Sequence, residues 1–473
     1  MATIETPKLT LLRGILPRLS HVTRAQITEY APTFLTEFAV MVSQIVVYKL
    51  AAHYLGKQGF SEYALARRTI TLIFPITVLG LSIGLPRYIG FSKGQNNLEA
   101  ADSYYGATLL SVGSAGFLCA LLLNVFAGWF AYLFFGDRSY RFLVFPLSVM
   151  IVGLCLHSVA CSYHRGHMQL NRANRIQFLN LGVAPLVVFL LVGNSVRTVL
   201  LALGLAWSVV GGFALLLTPL WSVFRSNSIA MKDILRYGIQ RVPGDFIFMA
   251  LFALPSTFTA HLSGVQQAGF VAFGITVLST IRAFFTPIGL VLLPKATLMM
   301  AEGARRELRG HVWLILKTCI ASALLIAFVL WTWIPGLVRL YLGNDFGQIV
   351  FIVRVLVFGA LPLSLYLVLR ILIDAYHEYA VTGAILLAGF STFLIGSFIG
   401  KRLHAGTDVI LISLVFALSV LAVLASFEWR RILRNLDERL TPIRQQHSAG
   451  KDRSAIPDSL DRSTKPLGYK VQN

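Results

Sequence analysis

Long apolar segments alternate with short polar connections along almost the whole chain. Each segment is mostly apolar over about 20 or more residues, which is long enough to cross a bilayer as a helix. The connections are short, and none is large enough to fold as a separate domain. The pattern therefore predicts an all-α integral membrane protein with about twelve transmembrane helices. These spans are expected near residues 31–55, 62–90, 104–134, 141–163, 173–193, 196–224, 237–262, 266–293, 311–334, 347–371, 379–399 and 406–428.

The spans of the first half share a sequence pattern with those of the second half. Gly56 in the first turn matches Gly264 in a later turn, and Pro86 matches Pro294. The differences 264 minus 56 and 294 minus 86 are both 208. An ordered series of matches at one spacing is typical of a duplicated unit. Three further pairs have the same spacing: Arg87 and Lys295, Asp137 and Asp345, and Glu37 and Asp245.

The duplication predicts the organisation of the chain. An even number of spans in each half means that both halves insert in the same direction, with a pseudo-twofold axis along the membrane normal. We therefore expect two six-helix lobes that face each other across a central cavity. The predicted units are a cytoplasmic N-terminal segment over 1–27, an N-lobe over 28–224, a C-lobe over 225–430, and a basic, partly disordered cytoplasmic tail over 431–473.

Composition and charge agree with a membrane protein. Hydrophobic residues make up 56% and charged residues 13% of the chain, whereas about a quarter of the residues in soluble domains are charged. The formal net charge of +20 comes from Lys and Arg near the ends of spans. By the positive-inside rule, their distribution predicts a multi-pass protein of the cell inner (plasma) membrane with both termini in the cytoplasm. The expected partners of these cations are membrane lipids, not nucleic acid.

Loose patterns of glycine, proline and hydrophobic residues lie around both turns and later in the second half. These stretches are Leu55-Gly56, Gly59-Phe60, Tyr63, Gly80, Gly84, Pro86-Arg87-Tyr88, Val271-Ala272, Leu293-Pro294-Lys295, Ala301-Glu302-Gly303, Tyr341-Leu342-Gly343 and Ala375-Tyr376. In them the chain resembles the polysaccharide exporters and O-antigen (lipid-linked oligosaccharide) flippases of the multidrug/oligosaccharidyl-lipid/polysaccharide (MOP) superfamily, over roughly residues 28–430. The resemblance implies alternation between inward-open and outward-open states, and a substrate glycan on a polyprenyl pyrophosphate lipid.

Charged side chains inside spans are the candidate site residues, because one at a helix centre costs about 2.5–3.5 kcal/mol on insertion scales. The candidates for binding an anionic head group are Arg282, Arg67, Lys49 and Arg354. Arg282 matches position 74, seven residues after Arg67, so both arginines are expected on one helical stripe that faces the cavity. Snorkelling to the head groups is an equal alternative for Arg67, and it is the expectation for the adjacent Arg68.

The acids inside spans have two interpretations. Glu37 and Asp245 begin equivalent spans, where they are candidates for binding a coupling proton or Na⁺ or for closing a cytoplasmic gate. The alternative is a salt bridge near the membrane boundary that serves only the helix dipole. Arg370 and Asp374 are four residues apart, which predicts an ordinary ion pair.

Motifs of ATP-driven pumps and of zinc enzymes are missing from the sequence. It contains no Walker A sequence and no zinc motif. We therefore predict a secondary transporter without catalytic residues, cofactor or metal. Two alternatives remain. A drug/cation antiporter of the same fold would have an acid-rich, aromatic cavity, and a membrane glycan polymerase or acyltransferase would have a His or Asp in an external cleft beside a substantial loop.

Overall fold

The computed structural model describes residues 8–301, 305–377, 381–403 and 406–438. Side chains are described over 31–280 and from 309 onward, except at 311, 375 and 436–438. This part of the chain is helical throughout, with short connections. The helices are α1 (Lys8–Val78), α2 (Leu81–Gly94), α3 (Leu98–Val125), α4 (Ala127–Phe135), α5 (Val144–Gly166), α6 (Leu170–Gln177), α7 (Ala184–Val192), α8 (Val196–Leu216), α9 (Ser222–Arg225), α10 (Ser228–Ala301), α11 (Arg305–Tyr341), α12 (Gln348–Val357), α13 (Ala360–Tyr376), α14 (Val381–Arg402) and α15 (Thr407–Glu438).

Helix α1 is a hairpin of two antiparallel arms. Gly56 interrupts it with φ 62° and ψ −171°, a conformation that glycine adopts without a Cβ clash. A guanidinium nitrogen of Arg67 donates to Gln44 at 2.9 Å, although a straight helix would separate the two residues by about 35 Å. The rings of Tyr48 and Tyr63 are also 5.9 Å apart. Both pairs are centred on position 56, so the chain reverses there.

Helix α10 repeats this construction at the position that the duplication predicts. Gly264 interrupts it with φ 82° and ψ 170°, close to the values at Gly56. Nine helices of the described chain are long and apolar enough to cross a membrane, or ten when the bent pair α12 and α13 is included. Because α1 and α10 each contribute two arms, the number of spans becomes twelve. The prediction of an all-α membrane fold with about twelve spans is confirmed.

Four predicted spans are interrupted rather than regular. The second span is interrupted at Gly80, which has φ 65°, and continues as α2. The third is divided at Phe126 into α3 and α4. The tenth bends by 43° between α12 and α13. A π-helical turn, Phe178–Val183, also divides the fifth span. Backbone groups released by such breaks need new partners inside the protein.

Glycines allow the helices of each lobe to pack closely. In the first half, a Cβ on Gly153 of α5 would lie 2.9 Å from the carbonyl oxygen of Gly204 in α8. In the second half, Gly389 and Gly396 of α14 lie against Leu421 and Ser413 of α15. In lipid, close packing of this kind holds helices together because burial of apolar surface contributes little. The two-lobe architecture is confirmed, and the boundaries 28–224 and 225–430 stay predictions.

Candidate functional site

The second arms of α1 and α10 meet where residues related by the duplication touch each other. Gly269 packs against Ser61, and 269 minus 61 is 208. Seven residues further on, a guanidinium nitrogen of Arg68 donates to the hydroxyl of Thr276 at 2.7 Å, again across 208 positions. Residues can contact their own counterparts only near a twofold axis. The pseudo-twofold axis therefore passes between these two arms.

Aromatic rings close the space on the same side of the molecule. We call this side, which carries the turns at Gly56 and Gly264, the hairpin side. The ring of Phe273 lies 5.3 Å from that of Tyr48 and 5.6 Å from that of Phe60. Phe60 also stands 5.0 Å from Phe346. We call these four rings, together with the Ser61–Gly269 and Arg68–Thr276 contacts, the hairpin-side gate. The gate is closed in this structure.

Arg68 occupies the inner end of this gate. Its side chain is 9% exposed, and its Nε donates to the carbonyl oxygen of Ala272 at 3.2 Å. The expectation that Arg68 snorkels to the head groups is wrong. Two of its donors meet a backbone carbonyl and a hydroxyl of the opposite lobe, and these bonds offset part of the cost of burying a guanidinium.

Arg67 points into the N-lobe instead. Besides its bond to Gln44, its guanidinium lies over the ring of Trp207, 5.1 Å from the ring centre. A cation over the face of an indole is an attractive arrangement. Its side chain is half-buried, and its other terminal nitrogen is buried without a hydrogen-bond partner among the described residues. Arg67 therefore carries a positive charge beside neutral partners.

The polar surroundings of Arg67 depend on the π-helical turn. Two side chains of α1 donate to carbonyls of this turn, Ser43 to Gly182 at 2.5 Å and Gln44 to Leu181 at 2.8 Å. Asn180, at the centre of the turn, is fully buried. π-Helical turns occur frequently at functional sites. Sequence analysis missed this group, and Asn180, a lone amide among apolar residues, is the one signal that could have indicated it.

The other predicted cations lie apart from this group. Lys49 is exposed on the first arm of α1. Arg354 is half-buried on α12, with its guanidinium 5.4 Å from the ring centre of Trp331. Arg282 lies on the second arm of α10, but its side chain is outside the described residues. That Arg282 faces a central cavity therefore stays a prediction.

The acids of the spans are already bonded to neighbours. Asp245 forms a salt bridge with Arg241 of its own helix at 3.0 Å. Glu37 accepts a hydrogen bond from Gln177 at 2.8 Å, and the carbonyl oxygen of the same glutamine accepts one from Arg165 at 2.7 Å. Both carboxylates thus lie in contact with basic or polar groups at one membrane boundary. The ion pair predicted for residues 370 and 374 is confirmed, at 3.5 Å.

The described residues contain no group of three or more His, Cys, Asp or Glu side chains that could hold a metal ion. Guanidinium, amide, hydroxyl and aromatic groups lie at and beside the contact between the two second arms. Such groups can bind and release a polar or anionic molecule by hydrogen bonds and charge.

Comparison with known proteins identifies the fold. The family described as MatE matches residues 32–166, and no curated protein matches. A multidrug resistance MATE family transporter of the MOP superfamily, solved in an inward-facing conformation, is similar with a TM-score of 0.71 at 13% identity, covering 86% of this chain and 99% of that chain. An outward-facing structure with the same description gives 0.60 at 14% identity, covering 87% and 97%.

A eukaryotic MATE transporter, AtDTX14, also gives a TM-score of 0.60 at 14% identity, covering 88% of this chain and 99% of that chain. These likenesses extend over nearly the full length of each solved structure. The chain therefore has the fold of the MATE transporters of the MOP superfamily. The fold predicted from the resemblance is confirmed.

Proposed function

We propose that this protein is a secondary transporter, not an enzyme, that moves a lipid-linked oligosaccharide or polysaccharide precursor across the cytoplasmic membrane by alternating access. It would lie in the inner (plasma) membrane as a multi-pass protein with both termini in the cytoplasm. In this orientation the hairpin side is the outer side, and the structure is closed outward. The gate contact between duplicated residues is the observation that carries the proposal.

A contact on the axis supports alternating access for a geometric reason. Two lobes related by an axis along the membrane normal can rock about this contact, opening one side as the other closes. Contacts between the two second arms run from Lys57 over Phe270 to Arg68 with Thr276. These positions lie within about 18 Å of the turn at Gly56, roughly half of a bilayer. The greater similarity to the inward-facing MATE structure agrees with this assignment.

The charges of the described spans favour an anionic substrate. The partners described for Arg67 and Arg354 are neutral, namely an amide and indole rings. In contrast, Asp245 contacts the guanidinium of Arg241, and Glu37 accepts from an amide that is itself bonded to a guanidinium. Cations with neutral partners attract a pyrophosphate, whereas acids that are already paired offer little to a cationic drug. Lys49 and Arg282 would add positive charge for the same head group.

The second candidate is a drug/cation antiporter. The solved structures described above as multidrug resistance transporters favour it, since they share the fold. In that case Glu37 or Asp245 would bind the coupling proton or Na⁺ and exchange it for a cation. Their present contacts with Gln177 and Arg241 would have to break during each cycle.

Replacement of Arg282 tests the proposal in cells. In the native host we expect Arg282→Ala to abolish surface glycan while the amount of protein in the membrane stays unchanged. The matched control is Arg309→Ala, because Arg309 is an exposed arginine near the start of α11, and this variant should retain the glycan. Unchanged surface glycan in Arg282→Ala would remove this residue from the mechanism. Loss of drug resistance with intact glycan would favour the antiporter.

A further inference from the structure

Arg68 links the two lobes by hydrogen bonds that only the closed gate permits. It belongs to the second arm of α1, and both of its described acceptors, the Ala272 carbonyl and the Thr276 hydroxyl, belong to the second arm of α10. When the gate opens, these arms must separate, and the guanidinium loses both acceptors. The bonds therefore favour the closed gate over the open one.

The hydroxyl of Thr276 is the centre of this link. It donates to the carbonyl of Ala272 in its own helix at 2.9 Å, so its lone pairs remain available. One accepts the hydrogen bond from Arg68, and the hydroxyl of Tyr48 lies 3.3 Å away. Both lobes thus converge on one oxygen atom beside the axis.

The position of Arg68 in depth gives the link a second property. Arg68 lies twelve residues beyond Gly56, about 18 Å along the helix and near the middle of a 30 Å bilayer core. The rings of Tyr48, Phe60 and Phe273 stand between it and the hairpin side. The guanidinium is therefore at the inner floor of the gate, which is the end that a substrate entering from the opposite side would approach.

Resting on the proposed function, we propose that Arg68 is the latch of the hairpin-side gate and that an anionic group of the substrate opens the gate by displacing its acceptors. A carbonyl and a hydroxyl are uncharged acceptors that each take one hydrogen bond, whereas a phosphate group is negatively charged and accepts two parallel bonds from a guanidinium. A phosphate that reaches Arg68 exchanges the bonds across the axis for bonds to itself. The lobes are then no longer held together on the hairpin side.

The latch is tested by measuring the gate directly. The four native cysteines are first replaced, and nitroxide labels are attached at Gln58→Cys and Leu262→Cys, next to the two turns. Double electron–electron resonance in nanodiscs then measures the distance between the two labels. We expect Thr276→Val and Arg68→Gln to raise the ratio of open to closed gate by about fivefold or more. The matched control is Thr259→Val, since Thr259 is also buried in α10 but donates within its own helix. Unchanged distances in both gate variants would overturn the latch.

A second measurement with the same labels tests displacement by an anion. Undecaprenyl pyrophosphate is the anionic probe and undecaprenol the uncharged one. We expect undecaprenyl pyrophosphate, but not undecaprenol, to open the gate of the protein without gate substitutions. In Thr276→Val, where the gate is already more open, undecaprenyl pyrophosphate should change the label distance little further. Equal effects of the two lipids, or no effect of either, would overturn displacement by an anion. No lipid has to cross the membrane in this measurement, so a failed latch is distinguished from a failed transport hypothesis.

Discussion

The replacement Gly269→Ala tests whether the contact at the axis belongs to one state of a moving gate. A Cβ at this position would lie 2.6 Å from the backbone oxygen of Ser61, and closer still to its Cα. Ordinary carbon contacts lie at about 3.5 Å, so the two arms must separate by roughly 1 Å. Overpacking of this kind typically costs about 1–3 kcal/mol.

This penalty falls on the closed gate, because the two arms touch there. A difference of about 1–3 kcal/mol between two states changes their ratio by about 5- to 150-fold. We therefore expect Gly269→Ala to shift the nitroxide distance between positions 58 and 262 towards longer values, by a change in population rather than by unfolding. The melting temperature in detergent checks that the variant is folded.

The matched control is Gly113→Ala, because Gly113 lies in helix α3 and has nothing within 4 Å of a built Cβ. This variant should leave the distance distribution unchanged. If Gly269→Ala also left it unchanged while remaining folded, the axis contact would not be the point at which the lobes separate. A fall in melting temperature without any change in distance would indicate packing alone.

Two further predictions concern the membrane boundary opposite the hairpin side. Gln177→Leu removes the amide between Glu37 and Arg165 and leaves polar groups of both residues unpaired. We expect this change to lower the free energy of unfolding, measured by denaturation in detergent, by about 1–3 kcal/mol. An unchanged free energy of unfolding would mean that solvent replaces the amide. Glu37→Gln and Asp245→Asn should alter the dependence of transport on pH or Na⁺ if these acids couple transport to an ion, and a normal dependence in both variants would exclude that role.

The duplication could be predicted from the sequence because a turn with positive φ requires glycine, whatever the surrounding fold. A turn of this kind needs positive φ, and Gly56 and Gly264 were therefore recognisable from their spacing before any coordinates. The break at Phe126 was not recognisable, since no proline lies near it and its residues are as apolar as those of a continuous helix. The bend between α12 and α13 does have a signal, because Pro362 lacks the N–H that would bond to the carbonyl of Phe358, where α12 ends.

The position of Arg68 could not be predicted for a different reason. The repeat identifies which residues are equivalent, but it does not say which equivalent residues touch, because that depends on where the axis lies in three dimensions. From the sequence alone, Arg68 lies only six residues after the expected start of its span at 62, where it is indistinguishable from an arginine that snorkels. The partners Gln44 and Trp207 of Arg67 were missed for the same reason, since they come from the first arm of α1 and from α8.

Movement of a labelled lipid by the purified protein tests the central claim most directly. Vesicles containing the protein receive a fluorescent oligosaccharide on undecaprenyl pyrophosphate, and a membrane-impermeant quencher reports how much of it has crossed. We predict protein-dependent crossing of this anionic lipid, loss of crossing in Arg282→Ala, and no uptake of the cationic drug ethidium. Crossing no faster than in protein-free vesicles, together with ion-dependent uptake of ethidium, would contradict the account.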